Sequence, residues 1–182
     1  MNADGSDQRR LLDFPSADRH EWSPDGSRLA FVGSDGKDDG GGCHEDHELY
    51  VMNADGSGLL RLTDDEYYEQ DPTWSPDRSQ IAFSASNQSD YAWDVFVVNA
   101  DGTDLRRLTD YPGLDGDPTW SPDGSMIAFS SDRATGPSRT EAQDGTPYVM
   151  NADGSGVRHL LNLEAVGLGD RTRAWITDWR TG

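Results

Sequence analysis

The sequence predicts an all-β fold: a β-propeller of four-stranded antiparallel blades, with about three blades in the chain. Two interleaved phrases carry this prediction. Trp-Ser-Pro-Asp occurs at residues 22–25, 74–77 and 120–123, and Asn-Ala-Asp-Gly occurs at residues 2–5, 53–56, 99–102 and 151–154. The aspartates of the second phrase follow one another at 51, 46 and 52 residues. Self-similarity at such a period is typical of repeat architectures, propellers among them.

The order of elements inside one period is clearest in the second repeat. An extended segment at residues 71–74 ends in a Ser-Pro-Asp-Arg turn, and residues 80–85 then place Ile81, Phe83 and Ala85 on one face. This alternation indicates a strand. Residues 94–98 are apolar almost throughout and lead into Asn-Ala-Asp-Gly, a strong hairpin signal because glycine accepts a positive φ. Residues 105–109 supply a fourth strand, which completes an antiparallel meander.

The second and third predicted strands carry apolar residues on both faces, as expected of sheets covered on each side by sister sheets. A solenoid usually has shorter repeats, and a sandwich would not repeat its turns so literally. The chain is therefore predicted to be one propeller-repeat domain over residues 1–182. Its blades are expected at residues 14–63, 64–109 and 110–161, with an extra outer strand at 7–13 and an extra first strand at 171–179.

The repeated phrases resemble the TolB-type, WD-like β-propeller repeat. Trp-Ser-Pro-Asp-Gly precedes Ile-Ala-Phe, and Tyr-Val-Met-Asn-Ala-Asp-Gly-Ser-Gly and Arg-Leu-Thr also occur in the expected order. The resemblance covers residues 1–165. The first copy departs from it, with Arg19-His20-Glu21 where later copies have Asp-Pro-Thr. The resemblance implies a six-bladed ring, a periplasmic or secreted setting, and protein partners.

Composition narrows the class of partner. The chain has 34 acidic and 15 basic residues and a net charge of −19, which argues against nucleic acid and anionic membranes. This charge favours cations, cationic peptides or neutral polar ligands, although acidity also serves solubility. Apolar runs fall short of the roughly 20 residues needed to cross a bilayer. Cys43 is the single cysteine, so no internal disulfide can form.

The first five residues are already repeat sequence and do not read as a signal peptide. A cytoplasmic protein or a truncated chain is therefore the alternative to the periplasmic setting. Three blades make only an arc, because closed propellers have about four to eight. A homodimer that completes a six-bladed ring is expected, since a twofold arrangement buries a repeated open surface. The alternatives are a part of a longer propeller and an engineered or truncated self-assembling piece.

The loops between blades carry the candidate metal site. The invariant turns should lie on one side of the disc, and the variable loops, rich in acids and aromatics, on the other, where function usually resides. Asp71 and Asp117 stand three residues before their tryptophans and should converge at the channel mouth. With Asp65 and Asp115 they form the predicted Ca²⁺ site, since Ca²⁺ takes about six to eight oxygens. The alternative is that each aspartate caps its own turn.

Two further groups of side chains are candidates for binding. Exposed aromatics beside carboxylates suit a peptide or a sugar, and they could also fold back onto the blade edges. The predicted ligand-binding residues are Tyr67, Tyr68, Glu69, Tyr91, Trp93 and Tyr111. His44 and His47 lie in the soft-ligand segment at 43–48, where adventitious Zn²⁺ or Ni²⁺ binding competes with a plain solvated loop.

Catalytic motifs are missing from the sequence. There is no Gly-x-Ser-x-Gly elbow, and the Gly-Ser-Gly triplets lie in predicted hairpins rather than between a strand and a helix. A non-enzymatic scaffold is therefore predicted. The alternative is a propeller hydrolase or lyase that uses Asp71 and Asp117, with or without Ca²⁺. The recurring tryptophans are predicted to be core residues.

Overall fold

The protein is represented by a computed structural model that describes residues 4, 6, 8, 10–34, 36, 47–86, 92–134 and 145–160. Twelve strands in these residues form three four-stranded antiparallel sheets, which confirms the predicted all-β propeller as an open, partial one. Blade 1 contains β1 (Ser16–Trp22), β2 (Arg28–Ser34), β3 (Glu48–Asn53) and β4 (Leu60–Arg61). Blade 2 contains β5 (Tyr68–Trp74), β6 (Gln80–Ser86), β7 (Asp94–Asn99) and β8 (Arg106–Arg107). Blade 3 contains β9 (Asp115–Trp120), β10 (Met126–Ser131), β11 (Thr146–Asn151) and β12 (Arg158–His159).

Each blade is a meander in which consecutive strands pair side by side. The fourth strands are shorter than predicted: residues 105–109 give only the two-residue β8. The reason is that the end of this segment is held by a side chain. The Val95 N–H donates to the Thr109 hydroxyl at 2.9 Å, while the Leu108 N–H donates to the Val95 carbonyl at 2.8 Å.

The Trp-Ser-Pro-Asp phrase repeats because its polar atoms build the turn between the first two strands. In blade 3 the Ser121 hydroxyl accepts the Met126 N–H at 3.0 Å and donates to Asp123 at 2.6 Å. Asp123 also accepts the Ser125 N–H at 3.0 Å. These hydrogen bonds lower the pKa of Asp123 to about 2, and the bond from Ser121 contributes most. The Ala152 N–H donates to the Ser125 carbonyl at 3.0 Å, so the two invariant turns of the blade lie together.

The core lies between the blades. One apolar cluster joins blades 1 and 2 and includes Val32, Val51, Ile81 and Phe83. A second cluster joins blades 2 and 3. Residues of β6 belong to both clusters, with Ile81 facing blade 1 and its neighbour Ala82 facing blade 3. This explains why the second strand of a blade is apolar on both faces.

The recurring tryptophans form the inner seam between blades. Trp74 donates its indole N–H to the Glu21 carbonyl at 3.2 Å, and Trp120 donates to the Thr73 carbonyl at 3.3 Å. Both are core residues, with exposures of 4% and 7%. The same prediction is wrong for Trp22, which is 49% exposed, because no described blade lies before it to receive its ring.

The N-terminal segment covers the outer part of the open face of blade 1. Leu11, Leu12 and Phe14 pack on a small cluster that contains Phe31 and Tyr50. Residues 10–15 do not form a strand. The predicted C-terminal strand at 171–179 lies outside the described residues. No helix in the described part of the chain is long and apolar enough to span a bilayer.

Candidate functional site

The inner strand of each blade carries a bulge three residues before its tryptophan. Arg19, Asp71 and Asp117 occupy this position in β1, β5 and β9, and all three have positive φ values of 45°, 51° and 50°. The pairing with the second strand shifts register around each of them. Left-handed backbone at a residue other than glycine is uncommon and collects at functional sites. The repeat therefore places one polar side chain per blade along the inner side of the arc.

Two of these side chains are carboxylates that meet. Arg19 Nη1 lies 2.7 Å from Asp71 Oδ1, and the Asp117 side chain is close enough to Asp71 to act on its carboxyl group. Burial is the main cause that raises the pKa of Asp71, the charge of Asp117 adds to it, and Arg19 opposes it. Such a pair can share a proton or present oxygens to a cation.

The other two predicted metal ligands lie elsewhere. Asp65 accepts the Tyr67 N–H at 2.9 Å in the loop between blades 1 and 2. Asp115 is fully buried and forms an ion pair with Arg133 at 2.5 Å. Within the described ranges no three His, Cys, Asp or Glu side chains are placed to hold a metal ion. The four aspartates therefore divide into the Asp71–Asp117 pair and two separate residues.

Glu69 is buried rather than part of the surface, with 1% of its area exposed. Burial, followed by the charges of Glu48 and Asp65, raises its pKa to about 10. Neither of its carboxyl oxygens has a hydrogen-bond partner. Glu69 lies five residues before Trp74, and its burial there keeps it out of reach of a surface ligand. The same burial keeps its carboxyl group protonated and neutral at pH 7.

Ion pairs between a buried carboxylate of one strand and an arginine of the next were not predicted from the sequence. The first residue of β3, Glu48, pairs with Arg61 at 2.5 Å, and the first residue of β7, Asp94, pairs with Arg107 at the same distance. The sequence does contain a signal for these ion pairs: an acidic residue begins the third strand, and an Arg-Leu-Thr triplet lies in the fourth strand. Asp115 is the counterpart of Glu69 in blade 3, and only Asp115 has an arginine partner.

Two of the predicted ligand-binding residues, Tyr68 and Trp93, form a row with His47 on the side of the variable loops, which we call the loop face. His47 and Tyr68 have ring centroids 4.9 Å apart, and those of Tyr68 and Trp93 are 6.1 Å apart, each edge to face. All three side chains are half-buried.

The remaining predicted positions do not join this row. Tyr67 turns inward and packs on Phe96, with ring centroids 5.5 Å apart. Tyr111 lies under the Arg133 guanidinium, 5.0 Å from its ring centre. Tyr91 and His44 lie outside the described residues.

Comparison with known proteins gives a consistent family signal. The model of the TolB beta propeller domain matches residues 72–165, just over half of the chain. The Tol-Pal system protein TolB of Anaeromyxobacter dehalogenans is 45% identical over 53 residues, which are 29% of this chain and 10% of that protein. The uncharacterized peptidase YuxL of Bacillus subtilis is 40% identical over 65 residues, which are 36% of this chain and 9% of that protein. These matches span about a tenth of the curated relatives' own length.

Solved structures agree on the fold. A putative TolB from Agrobacterium tumefaciens superposes with a TM-score of 0.67 and 26% identity, over 83% of this chain and 51% of that one. TolB from Acinetobacter baumannii has a TM-score of 0.65 and 20% identity, over 88% and 36%. An oligogalacturonate lyase in complex with manganese has a TM-score of 0.54 and 16% identity, over 75% and 33%. The last two show the fold alone.

Proposed function

The chain belongs to the TolB β-propeller family, and on that premise we propose that it is a non-enzymatic scaffold that binds a protein or peptide through its loop face. The observation that carries this proposal is the row of His47, Tyr68 and Trp93, which joins the loop sides of blades 1 and 2. Half-buried aromatic rings offer a partner apolar area at low entropic cost.

The charge of the protein supports a cationic partner. Asp64, Glu66 and Asp110 are exposed in the loops that enter blades 2 and 3, and the whole chain has a net charge of −19. A field of this sign attracts cationic peptides and speeds their association. Lysine and arginine side chains can also lie on aromatic rings, a contact worth about 0.5–2 kcal/mol. We therefore expect the partner segment to be rich in basic residues.

Peptide selection tests the proposal. A displayed library of random peptides is selected on the intact protein at physiological salt, and the enriched peptides are titrated by fluorescence anisotropy. We expect the enriched peptides to be rich in basic residues. Their affinity for Tyr68→Ser should be at least tenfold lower than for the unaltered protein. Leu105→Ser is the matched control, because Leu105 is an exposed apolar residue next to the invariant turn at 99–102. Peptides that bind both variants as tightly as the unaltered protein would refute the loop face as the binding surface.

An enzymatic role is the second candidate, and the Asp71–Asp117 pair is the observation that favours it. Two carboxyl groups that share a proton can serve as general acid and base. The similarity in fold to an oligogalacturonate lyase suggests oligogalacturonates as the first substrates to try. Product formation that is lost in Asp117→Asn would establish this role. No turnover with or without added manganese would favour the scaffold.

Calcium remains a prediction for the same pair. Two carboxylates supply only part of the roughly six to eight oxygens that Ca²⁺ takes, and Arg19 already neutralises Asp71 at 2.7 Å. Calorimetric titration of chelator-treated protein tests it. Heat that disappears in Asp71→Asn would support the site, and no heat at millimolar Ca²⁺ would end the idea.

The homodimer also remains a prediction, with one observation for it and one against it. In a closed ring of two copies Asp117 would meet Arg19 of the partner copy, as Asp71 meets Arg19 within the chain. However, Leu11 already lies against the turn at Gly56, as Leu62 and Leu108 lie against Gly102 and Gly154. The fourth-strand leucine of a partner blade would need this position. Light scattering decides between a species of about 40 kDa and the 20.0 kDa monomer.

A periplasmic location is proposed from the family alone. The Tol-Pal system proteins named TolB are the curated relatives that suggest it. Immunodetection in separated periplasmic and cytoplasmic fractions of the source cells tests it. Recovery of the protein in the cytoplasmic fraction would contradict it.

A further inference from the structure

Three buried carboxyl oxygens at the seam between blades 1 and 2 lack a partner. Within the described residues, neither oxygen of Glu69 has a hydrogen-bond partner, and Oε2 of Glu48 has none either. Both side chains are buried, with exposures of 1% and 2%. Buried acceptors without a partner are rare in folded proteins, and a bound ion is one of the ordinary reasons for them.

The two glutamates come from different blades and lie around one hydroxyl group. The Glu69 N–H donates to the His47 carbonyl at 3.4 Å, which places β5 beside the start of β3 at Glu48. The Thr63 hydroxyl is close enough to act on both carboxyl groups, and it opposes the rise that burial causes in their pKa values. The Thr63 oxygen is held there because it accepts the Leu49 N–H at 2.9 Å. The unpartnered oxygens therefore lie in one region of the seam.

Blade 3 has a positive charge at the corresponding position. Asp115 and Glu69 occupy the same place in the pairing of the first strand with the second. Asp115 forms an ion pair with Arg133 at 2.5 Å. Counted from the Ile-Ala-Phe that both second strands share, the residue in place of Arg133 in the sequence of blade 2 is Asn87. The carboxyl group at this register position thus has a cationic partner in blade 3 and lacks one in blade 2.

The charges that act on the site leave two negative charges to be balanced. The charges of Glu48 and Asp65 both act on Glu69, and Asp65 also acts on Glu48. Arg61 supplies one positive charge through its ion pair with Glu48 at 2.5 Å. Asp64 also pairs with Arg61, but it is 85% exposed and is screened by solvent. With the three buried or half-buried carboxyl groups ionised, the remaining charge is that of one divalent cation.

The available ligand atoms are all hard oxygens. Carboxylate and hydroxyl oxygens suit Ca²⁺, Mg²⁺ and Mn²⁺ better than they suit softer metals. The described residues place no three His, Cys, Asp or Glu side chains around one point. Water would therefore complete the coordination of an ion held by Glu48, Glu69 and Thr63, and Asp65 would act on it through such a water.

We propose that Glu48, Glu69 and Thr63 form a site for a hard divalent cation, of the class of Ca²⁺, Mg²⁺ and Mn²⁺, between blades 1 and 2. Binding displaces the proton that Glu69 holds at pH 7, and this proton passes to the solvent. The site uses none of the atoms of the Asp71–Asp117 pair and does not depend on the proposed function.

A cation at this site would also fix part of the loop face. His47 and Tyr68 directly precede Glu48 and Glu69 in the sequence. An ion bound to both glutamates therefore holds the first two rings of the row at a constant spacing.

Thermal unfolding of the chelator-treated, full-length protein tests the site. Ca²⁺, Mg²⁺ and Mn²⁺ are added one at a time at constant ionic strength, and calorimetry measures the affinity and the number of sites. We expect at least one of these ions to raise the melting temperature by about 5 °C or more at roughly a hundredfold excess over its dissociation constant. No stabilisation by any of the three ions would overturn the proposal.

Protein variants assign the ion to these residues. Glu69→Gln should weaken binding by about tenfold or more, and it should fold because glutamine replaces a carboxyl group that is neutral in the metal-free protein. Glu66→Gln removes an exposed glutamate of the same loop and should keep the binding. Asp71→Asn should also keep it. Equal binding in Glu69→Gln, or binding that is lost in Asp71→Asn and kept in Glu69→Gln, would overturn the proposal.

Paramagnetic broadening locates the ion directly. Substoichiometric Mn²⁺ is added to the isotope-labelled protein, and the amide signals are followed by NMR. We expect the signals of Glu48, Thr63 and Glu69 to broaden first. Broadening centred on the exposed acids of the invariant turns would show binding to the surface charge and would overturn the site.

Discussion

Replacing Glu69 by glutamine should raise the free energy of unfolding, and the gain should grow with pH. Glu69 keeps its proton in the folded protein up to a pKa of about 10, against an ordinary value of 4.5. Between these values the unfolded chain binds one proton fewer than the folded one. Stability therefore falls as pH rises, by up to about 1.4 kcal/mol per pH unit.

The magnitude follows from the burial of this carboxyl group. From pH 4.5 to pH 7 the loss amounts to about 3 kcal/mol, a ceiling because the surroundings of the group can relax. Glutamine has no proton to lose, so the pH-dependent loss disappears from the variant. Glu69→Gln should thus gain close to nothing at pH 4.5 and up to about 3 kcal/mol at pH 7.

Urea unfolding followed by circular dichroism at pH 5, 6, 7 and 8 measures this difference. Glu66→Gln is the matched control, because Glu66 is an exposed glutamate in the loop before the same strand. The unaltered protein and Glu66→Gln should lose stability in parallel, and Glu69→Gln should diverge from both. Parallel pH profiles for all three proteins would refute the reasoning.

Three further changes test the seams and turns. Trp120→Phe should lower the free energy of unfolding by about 1–3 kcal/mol, because it removes a hydrogen bond to a buried carbonyl and some buried apolar area. Trp22→Phe should lower it by less than about 0.5 kcal/mol. Chemical unfolding of the two variants side by side checks this difference. Arg133→Met leaves the buried Asp115 unpaired and should lower the free energy of unfolding by about 3–5 kcal/mol. Adding Asp115→Asn should restore most of that stability, and a double-mutant cycle measures the effect. Asp123→Asn should flatten the acid limb of stability, because the lowered pKa of Asp123 stabilises the fold above its ordinary value of 3.8 and this contribution disappears as pH falls through about 2; thermal unfolding from pH 5 to pH 2 measures it.

The parts of the fold that were predictable rest on short-range bonds. The turn of blade 3 closes through Ser121 and Asp123, which are two residues apart, so its sequence carries the whole signal. The pairing of Asp71 with Asp117 could be anticipated because both occupy one position of successive repeats. What escaped prediction depends on which side chains meet between strands that are distant in sequence. Arg133, just after β10, reaches Asp115 at the start of β9 across 18 residues, and no local pattern announces that contact.

Equivalent positions also diverge where the arc ends. The sequence presents Trp22 and Trp74 as copies of one residue, and only the presence of a preceding blade makes one buried and the other exposed. The same holds for Glu69 and Asp115, which share a register position but not an arginine partner. A repeat therefore predicts the backbone at each position better than it predicts the surroundings of the side chain.

The indole bonds from Trp74 and Trp120 have a consequence for how the arc comes apart. Each bond ties a blade only to the one before it, so the blades behave as links whose stability is the sum of their own terms and those of their nearest neighbours. The middle blade has two such couplings and the outer blades have one each. Opening should therefore begin at the ends of the arc and travel inward, and the last residues to lose their protection from solvent should be those of β6.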